Sequence, residues 1–134
     1  LYGDPVLPSH LNHNPFIWLK RVIEGGNPRH EKIPNDSASM IHLRDLAKIF
    51  LAVYENPNAS GRYFGVYKSL HWYDIYNECR KLIPNMNMPV TFSEKPVEPT
   101  GFDFTRRDSL KVHIRDFSTT LKETINWLKS KPFE

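Results

Sequence analysis

Residues 40–65 read MIHLRDLAKIFLAVYENPNASGRYFG, and this stretch decides the fold class. The apolar run Met40–Leu43 predicts a largely buried strand. From Asp45 onward the apolar residues recur at helical spacing, and Pro57 ends the helix that they predict. One face of that helix carries four apolar residues: Leu46, Ile49, Phe50 and Val53. Since Arg62–Tyr67 predicts a second strand, the stretch indicates an α/β fold with a βαβ unit, in which parallel pairing is an inference.

The composition is that of an ordinary globular chain and excludes several classes of protein. The chain has 134 residues, of which 40% are hydrophobic and 25% charged, so it fits one domain or part of a larger one. The net charge of +3 is spread without a dense Lys/Arg run, which argues against nucleic-acid binding. No apolar run approaches the roughly 18 residues of a membrane span. Cys79 is the single cysteine, so an intrachain disulfide is excluded and a reducing, cytoplasmic location is expected.

Three further helices are predicted from apolar residues at helical spacing. The first begins at Asn14-Pro15, where Asn suits the cap and Pro the first turn, and Gly25-Gly26 ends it. The second begins at Ser69 as the cap and ends at Pro84, with Cys79 packed on its apolar face. The third begins with the capping box Thr120–Glu123. Its inner face has four residues: Leu121, Thr124, Ile125 and Leu128.

Four segments carry a family resemblance. Ile41–Ala47 reads IHLRDLA and Glu55–Tyr63 reads ENPNASGRY; both resemble the C-terminal half of extended short-chain dehydrogenase/reductases, in the dihydroflavonol reductase and cinnamoyl-CoA reductase branch. Phe102–Leu110 and Glu123–Leu128 resemble the last elements of the same enzymes. The resemblance covers essentially the whole chain. It implies the C-terminal part of a Rossmann-type enzyme, with a small substrate-binding helical subdomain over residues 1–134.

The resemblance also implies a substrate site near the start of the chain. Leu1–Pro5 resembles the family's Val-Tyr-Gly-Pro segment, which implies that Leu1 lies near the nicotinamide of the cofactor, whereas the residues alone favour a plain turn made by Gly3 and Pro5. In the family the loop that follows borders the substrate pocket. The candidate substrate-binding residues in it are Ser9, His10, Asn12 and Asn14. His10 and His13 have no third ligand at a convincing spacing, so no metal site is predicted.

No catalytic residue is predicted in this chain. Members of the family use a Gly-x-x-Gly-x-x-Gly turn for the cofactor and a Tyr-x-x-x-Lys pair for proton transfer, and neither pattern occurs here. The resemblance therefore implies that an N-terminal dinucleotide-binding Rossmann half, absent from residues 1–134, is the partner of this chain and holds NADP(H). The chain alone is expected to be inert and to bind no cofactor. The substrate is expected to be a small carbonyl compound.

Two alternatives stay open at this point. The first concerns the whole chain, which could be a standalone α/β module that binds a protein partner, since it lacks active-site machinery. The second concerns individual polar residues that could serve a site. For these we predict plain structural roles: His42 as a buried strand histidine bonded to backbone, and Arg29, Arg106 and Arg107 as solvated cations with local ion pairs.

Overall fold

The computed structural model describes residues 1–134, in which five α-helices, one 3-10 helix and two short strands are formed. The 3-10 helix spans Pro8–Asn12. The α-helices are α1 (Phe16–Ile23), α2 (Leu43–Glu55), α3 (Trp72–Leu82), α4 (Thr105–Ser109) and α5 (Phe117–Lys129). The strands are β1 (Ser37–Met40) and β2 (Lys68–His71). None of the helices combines the length and the apolar character that crossing a membrane requires.

The hydrophobic core lies where α1, α3 and α5 pack together. The inner face of α5 is buried as its spacing predicts, and its members are Leu121, Thr124, Ile125 and Leu128. Trp18 of α1 is 1% exposed; its ring packs edge-on against Trp72 and lies tilted against Tyr76, both of α3. The spacing predicts a face of Phe16, Leu19 and Ile23 with Val22 beside it, and the structure adds Trp18 to the buried residues of this helix.

A strand, a helix and a strand follow one another as predicted, but both strands lie at other residues and their pairing differs from the inference. β1 covers Ser37–Met40, because Leu43 of the predicted strand Met40–Leu43 already begins α2. β1 and β2 pair antiparallel, with Ser37 opposite His71 and Met40 opposite Lys68. The residues expected to form the second strand, Arg62–Tyr67, lie outside the sheet. The last two of these residues accept hydrogen bonds from a side chain in place of a neighbouring strand. Arg107 Nη1 donates to the carbonyl oxygens of Val66 at 2.6 Å and of Tyr67 at 2.8 Å.

Both strands lead into a helix that is capped by a histidine. His42 precedes α2 and its Nδ1 accepts a hydrogen bond from the backbone N–H of Arg44 at 3.0 Å. His71 precedes α3 and accepts from the N–H of Tyr73 at the same distance. Each imidazole therefore satisfies one of the unpaired N–H groups that a helix start leaves, which side-chain oxygens usually do.

The caps predicted from Ser, Thr and Asn residues are wrong for all three helices. Ser69 lies within β2, where its hydroxyl is 2.8 Å from that of Ser39. Thr120 is buried inside α5, whose cap is Asp116; Asp116 Oδ1 accepts from the N–H of Thr119 at 2.8 Å. At α1 the cap position is held by Pro15, with no side-chain hydrogen bond. In each case a residue outside the apolar repeat takes the cap.

The apolar face of α2 is largely uncovered. Ile49 is buried, but Phe50 is 70% and Tyr54 88% exposed. Beside this face lies an open cavity of about 260 Å³ that Leu46 and Gly65 help to line. The chain crosses α2 closely there, because a Cβ on Gly65 would lie 2.5 Å from Leu46 Cδ1. The periodicity of α2 correctly predicts a helix, but the described residues do not bury its apolar stripe.

Candidate substrate site

An open cavity of about 490 Å³ lies between the first residues of the chain, the 3-10 helix and the starts of α1 and α2. Three of the five predicted site residues line it: Leu1, His10 and Asn14. Five more residues complete the lining, and sequence reasoning did not assign them to the site: Pro5, Val6, His13, Phe16 and Leu43. The volume lies within the range of small-molecule sites, and the lining is mostly apolar with a few polar groups, as such sites require.

Ser9 and Asn12 do not line the cavity, and the 3-10 helix explains why. Such a helix has three residues per turn, so side chains three apart point the same way. His10 and His13 therefore share the side that faces the cavity, whereas Ser9 and Asn12 share another side and are exposed. In the sequence, the three-residue spacing after Pro8 is the signal that could have added His13 to the predicted site residues and removed Ser9 and Asn12 from them.

The imidazoles of His10 and His13 are the main polar groups of the cavity. Their ring centroids are 6.2 Å apart in an edge-to-face arrangement. Nδ1 of His10 is shielded from solvent and has no hydrogen-bond partner. An unpaired buried polar atom costs about 1–3 kcal/mol. Since solvent does not reach Nδ1 of His10, a ligand in the cavity would have to hydrogen-bond the other ring nitrogens of the two histidines.

The floor of the cavity is fixed by backbone hydrogen bonds rather than by a plain turn. Tyr2 forms a parallel bridge with His42: its N–H donates to the carbonyl of Ile41 at 3.1 Å, and its carbonyl accepts from the N–H of Leu43 at 2.8 Å. The N–H of Gly3 donates to Thr124 Oγ1 at 2.8 Å. Leu1 and Leu43 thereby meet at one wall of the cavity.

Comparison with known proteins finds relatives of this chain, although no family model matches it. A cinnamoyl-CoA reductase from Medicago truncatula is 29% identical over 131 residues, which are 96% of this chain and 39% of that enzyme. A dihydroflavonol 4-reductase from Dianthus caryophyllus is 31% identical over 96 residues, 63% of this chain and 25% of that enzyme. The chain belongs to the extended short-chain dehydrogenase/reductases.

The fold comparison agrees with this assignment. The Bordetella bronchiseptica enzyme WbmF, solved in complex with NAD+, superimposes with a TM-score of 0.73 at 16% identity. That match covers 93% of this chain and 39% of WbmF. The chain corresponds to the C-terminal part of Rossmann-type extended short-chain dehydrogenase/reductases and spans about 39% of the length of the Medicago truncatula enzyme and of WbmF.

His42 is buried and bonded to backbone as predicted, but it caps α2 and lies outside the two strands. It is fully shielded from solvent, and since Nδ1 accepts the N–H of Arg44, the ring proton resides on Nε2. Nε2 lies 2.7 Å from Glu123 Oε2 in a close but poorly directed contact. The ring also lies against the backbone of Gly3, where an added Cβ would be 2.9 Å from Cε1. His42 therefore supports the cavity floor without lining the cavity.

Glu123 continues this contact into a buried ion pair that joins α2 to α5. Arg115 Nε lies 3.4 Å from Glu123 Oε1, and Arg115 Nη1 donates to Asp45 Oδ1 at 2.7 Å. The backbone N–H of Arg115 donates to Asp45 Oδ2 at 2.8 Å. Asp45 is 1% exposed and has both carboxylate oxygens occupied, so its role in the fold is structural.

The remaining candidate residues have structural surroundings. Cys79 is fully buried, and burial raises the pKa of its thiol to about 12, so it is no nucleophile. The guanidinium of Arg29 lies 5.3 Å from the ring centroid of Trp72. No group of three or more His, Cys, Asp or Glu side chains is placed to hold a metal ion.

One of these predictions needs correction. Arg107 does pair locally with Asp108 at 2.8 Å, but its side chain is only 13% exposed and not solvated. Its guanidinium lies over the ring of Phe104 and donates hydrogen bonds to the carbonyls of Val66 and Tyr67. Arg106 likewise reaches beyond local partners, to the carbonyl of Ser60 and the ring of Tyr63. The sequence could not reveal these partners, because they lie about 40 residues away.

Proposed function

We propose that residues 1–134 are the C-terminal substrate-binding part of an NADP(H)-dependent carbonyl reductase. The observation that carries this proposal is the cavity formed by Leu1, His10 and Asn14, found in a chain whose relatives are named as reductases. The N-terminal dinucleotide-binding half of the same enzyme is the proposed partner of this chain. The chain by itself is inert, since it has neither the Gly-rich turn nor the Tyr-x-x-x-Lys pair.

In the proposed enzyme the cavity holds the substrate while the partner half holds the cofactor. Bound NADPH supplies the hydride that reduces the carbonyl carbon. Leu1, which lines the cavity, would form the wall nearest the nicotinamide held by the partner half, and Phe16 and Leu43 would contact the apolar part of the substrate and exclude water from it. Asn14 offers an amide for orienting a polar substituent. Ser9 and Asn12 are left out of the proposed site, because they do not reach the cavity.

The uncovered face of α2 supports the proposed partner. Phe50 and Tyr54 expose large aromatic surfaces on one side of the helix, next to an open apolar hollow. Contiguous exposed apolar surface of this kind marks an interaction site. A dinucleotide-binding half would bury it, because the relatives have more than twice the length that this chain matches.

The test uses the longest native polypeptide that contains residues 1–134. Oxidation of NADPH is followed by its absorbance in the presence of a cinnamoyl-CoA thioester, a dihydroflavonol or a simple aromatic ketone. We expect oxidation with at least one of these substrates, faster with NADPH than with NADH, and none with residues 1–134 alone. If the longer polypeptide binds no nicotinamide cofactor and reduces none of the carbonyl compounds, the proposal is wrong.

A matched pair of asparagine variants tests the position of the site. Asn14→Ala removes an amide that lines the cavity, whereas Asn12→Ala removes an exposed amide two residues away that does not. We expect the first to raise KM for the carbonyl substrate about tenfold and the second to leave KM unchanged. Equal effects of the two substitutions would contradict this assignment.

A standalone protein-interaction module is the second candidate, and the exposed Phe50 and Tyr54 favour it as well. The two candidate functions differ in what covers the exposed apolar face of α2. If the native polypeptide has no cofactor-binding half and Phe50→Ser abolishes binding of a separate protein that co-purifies with it, the module is supported. If Phe50→Ser instead lowers cofactor-dependent activity or stability of one longer chain, the reductase is supported.

A further inference from the structure

His10 and His13 are the two histidines that line the cavity, and like the exposed His113 their imidazoles have no hydrogen-bond partner in the protein. The imidazole of His30 contacts the hydroxyl of Tyr76. His42 accepts a backbone N–H and contacts Glu123, and His71 accepts a backbone N–H and contacts Asn35. His113 is exposed and lies outside the cavity. Only the two imidazoles in the cavity combine proximity to each other, a shared concave site and free hydrogen-bonding capacity.

The other residues that line the cavity limit the kind of ligand that it can bind. No Lys, Arg, Asp or Glu side chain lines the cavity, and five of its eight residues are apolar. A phosphate or carboxylate would therefore lack a charged partner there, whereas a neutral, largely apolar molecule would fit. A neutral imidazole both donates and accepts hydrogen bonds, so the pair suits a hydroxyl group, which does the same.

We propose that His10 and His13 select the substrate by hydrogen-bonding a hydroxyl group on an otherwise apolar carbonyl compound. The carbonyl part of this statement rests on the proposed function. The preference for the hydroxyl group rests on the two imidazoles, and it is measured by binding without any turnover.

The physical reason for selection is the cost of leaving the imidazoles unpaired. A ligand without the hydroxyl group excludes water from the cavity and gives the two rings nothing in return. Sites that hydrogen-bond a substrate hydroxyl reject the analogue that lacks it much more strongly than apolar pockets reject a missing methylene. His10 is half-buried and His13 exposed, so residual water moderates the effect and we expect a ratio of about tenfold.

The test compares dissociation constants of para-hydroxyacetophenone and acetophenone for the longest native polypeptide containing residues 1–134, with the imidazole NMR resonances as a local readout. We expect the hydroxylated ketone to bind about tenfold tighter and to shift the resonances of His10 and His13. In the double variant His10→Phe/His13→Phe the ratio falls to about two or less. The control His113→Phe leaves it unchanged.

Two further variants keep the test decisive. If the double variant does not fold, His13→Phe alone serves, because His13 is exposed and the change adds no buried volume. His13→Gln retains a donor and an acceptor and is expected to keep most of the preference. Equal binding of the two ketones, no measurable binding of either, or an unchanged ratio in His13→Phe overturns the proposal. Failure to oxidise NADPH with either ketone counts against the proposed function instead, while the binding ratio still decides the role of the histidines.

Discussion

Replacing Arg115 by methionine tests whether the buried ion pair holds α2 against α5. Met keeps much of the aliphatic volume of Arg and removes the guanidinium that donates to Asp45 Oδ1. Asp45 is 1% exposed, so the substitution leaves a carboxylate that solvent cannot reach. Glu123 also loses a cation at 3.4 Å, but it is 45% exposed and water compensates there.

The expected loss in the free energy of unfolding depends on the interactions that Asp45 retains in the variant. Removing one partner of a buried pair typically costs about 3–5 kcal/mol. Asp45 retains the N–H of residue 115 on Oδ2 and lies in the first turn of α2, where the helix dipole favours a negative charge by about 0.3–1 kcal/mol. We therefore expect the lower end of the range, a loss of about 3 kcal/mol in the free energy of unfolding.

The assay is urea unfolding followed by tryptophan fluorescence, with the m-value checked for each variant. Lys81→Met is the control, because Lys81 pairs with Glu78 at 3.0 Å but is 70% exposed; its loss should stay below about 1 kcal/mol. The double variant Asp45→Asn/Arg115→Met removes both charges and should be more stable than Arg115→Met alone. A loss for Arg115→Met no larger than that for Lys81→Met would refute the reasoning.

Three other predictions concern single residues. Because burial raises the pKa of Cys79 to about 12, a thiol reagent at about pH 8 should label the native chain at least about tenfold more slowly than the chain in urea; equal rates would contradict the burial. Gly3→Ala places a methyl group 2.9 Å from His42 at φ 121° and should cost more stability in thermal unfolding than Gly25→Ala, where φ is 87° but no atom lies within 4 Å. Asp116→Ala should cost about 1 kcal/mol through loss of the α5 cap. The N–H of Thr119 holds the pKa of Asp116 below its ordinary value of 3.8, so this stability should be present above that value and lost as pH falls through the lowered pKa; a pH titration of unfolding checks whether Asp116→Ala loses the dependence.

The sequence predicted the helices well, because their burial repeats locally along the chain. α5 shows this best: Leu121, Thr124, Ile125 and Leu128 recur at helical spacing and all lie in the core. The same local logic predicted His42 as a buried, backbone-bonded histidine. It did not predict that His42 and His71 cap helices, because helix-cap preferences are compiled for short polar side chains and an imidazole reaches the same N–H from a longer stem.

Features that depend on distant partners could not be predicted from spacing. Arg107 takes the carbonyls that a second strand at 62–67 would have needed, and its reach across about 40 residues leaves no local pattern. The candidate site residues of one loop are separated in the same way. His10 and Asn14 line the cavity, whereas Ser9 and Asn12 do not, because the loop folds into a 3-10 helix, whose three-residue turn separates neighbouring side chains.

The close crossing of Gly65 over α2 has a consequence for how this sequence can change over generations. With a Cβ at residue 65 expected 2.5 Å from Leu46 Cδ1, the two positions share one small volume. A side chain at residue 65 becomes tolerable when residue 46 shrinks to alanine or valine, and each change alone is penalised by a clash or a void. In an alignment of related chains these two positions should therefore vary together, because the size of the side chain at one position limits the size tolerated at the other.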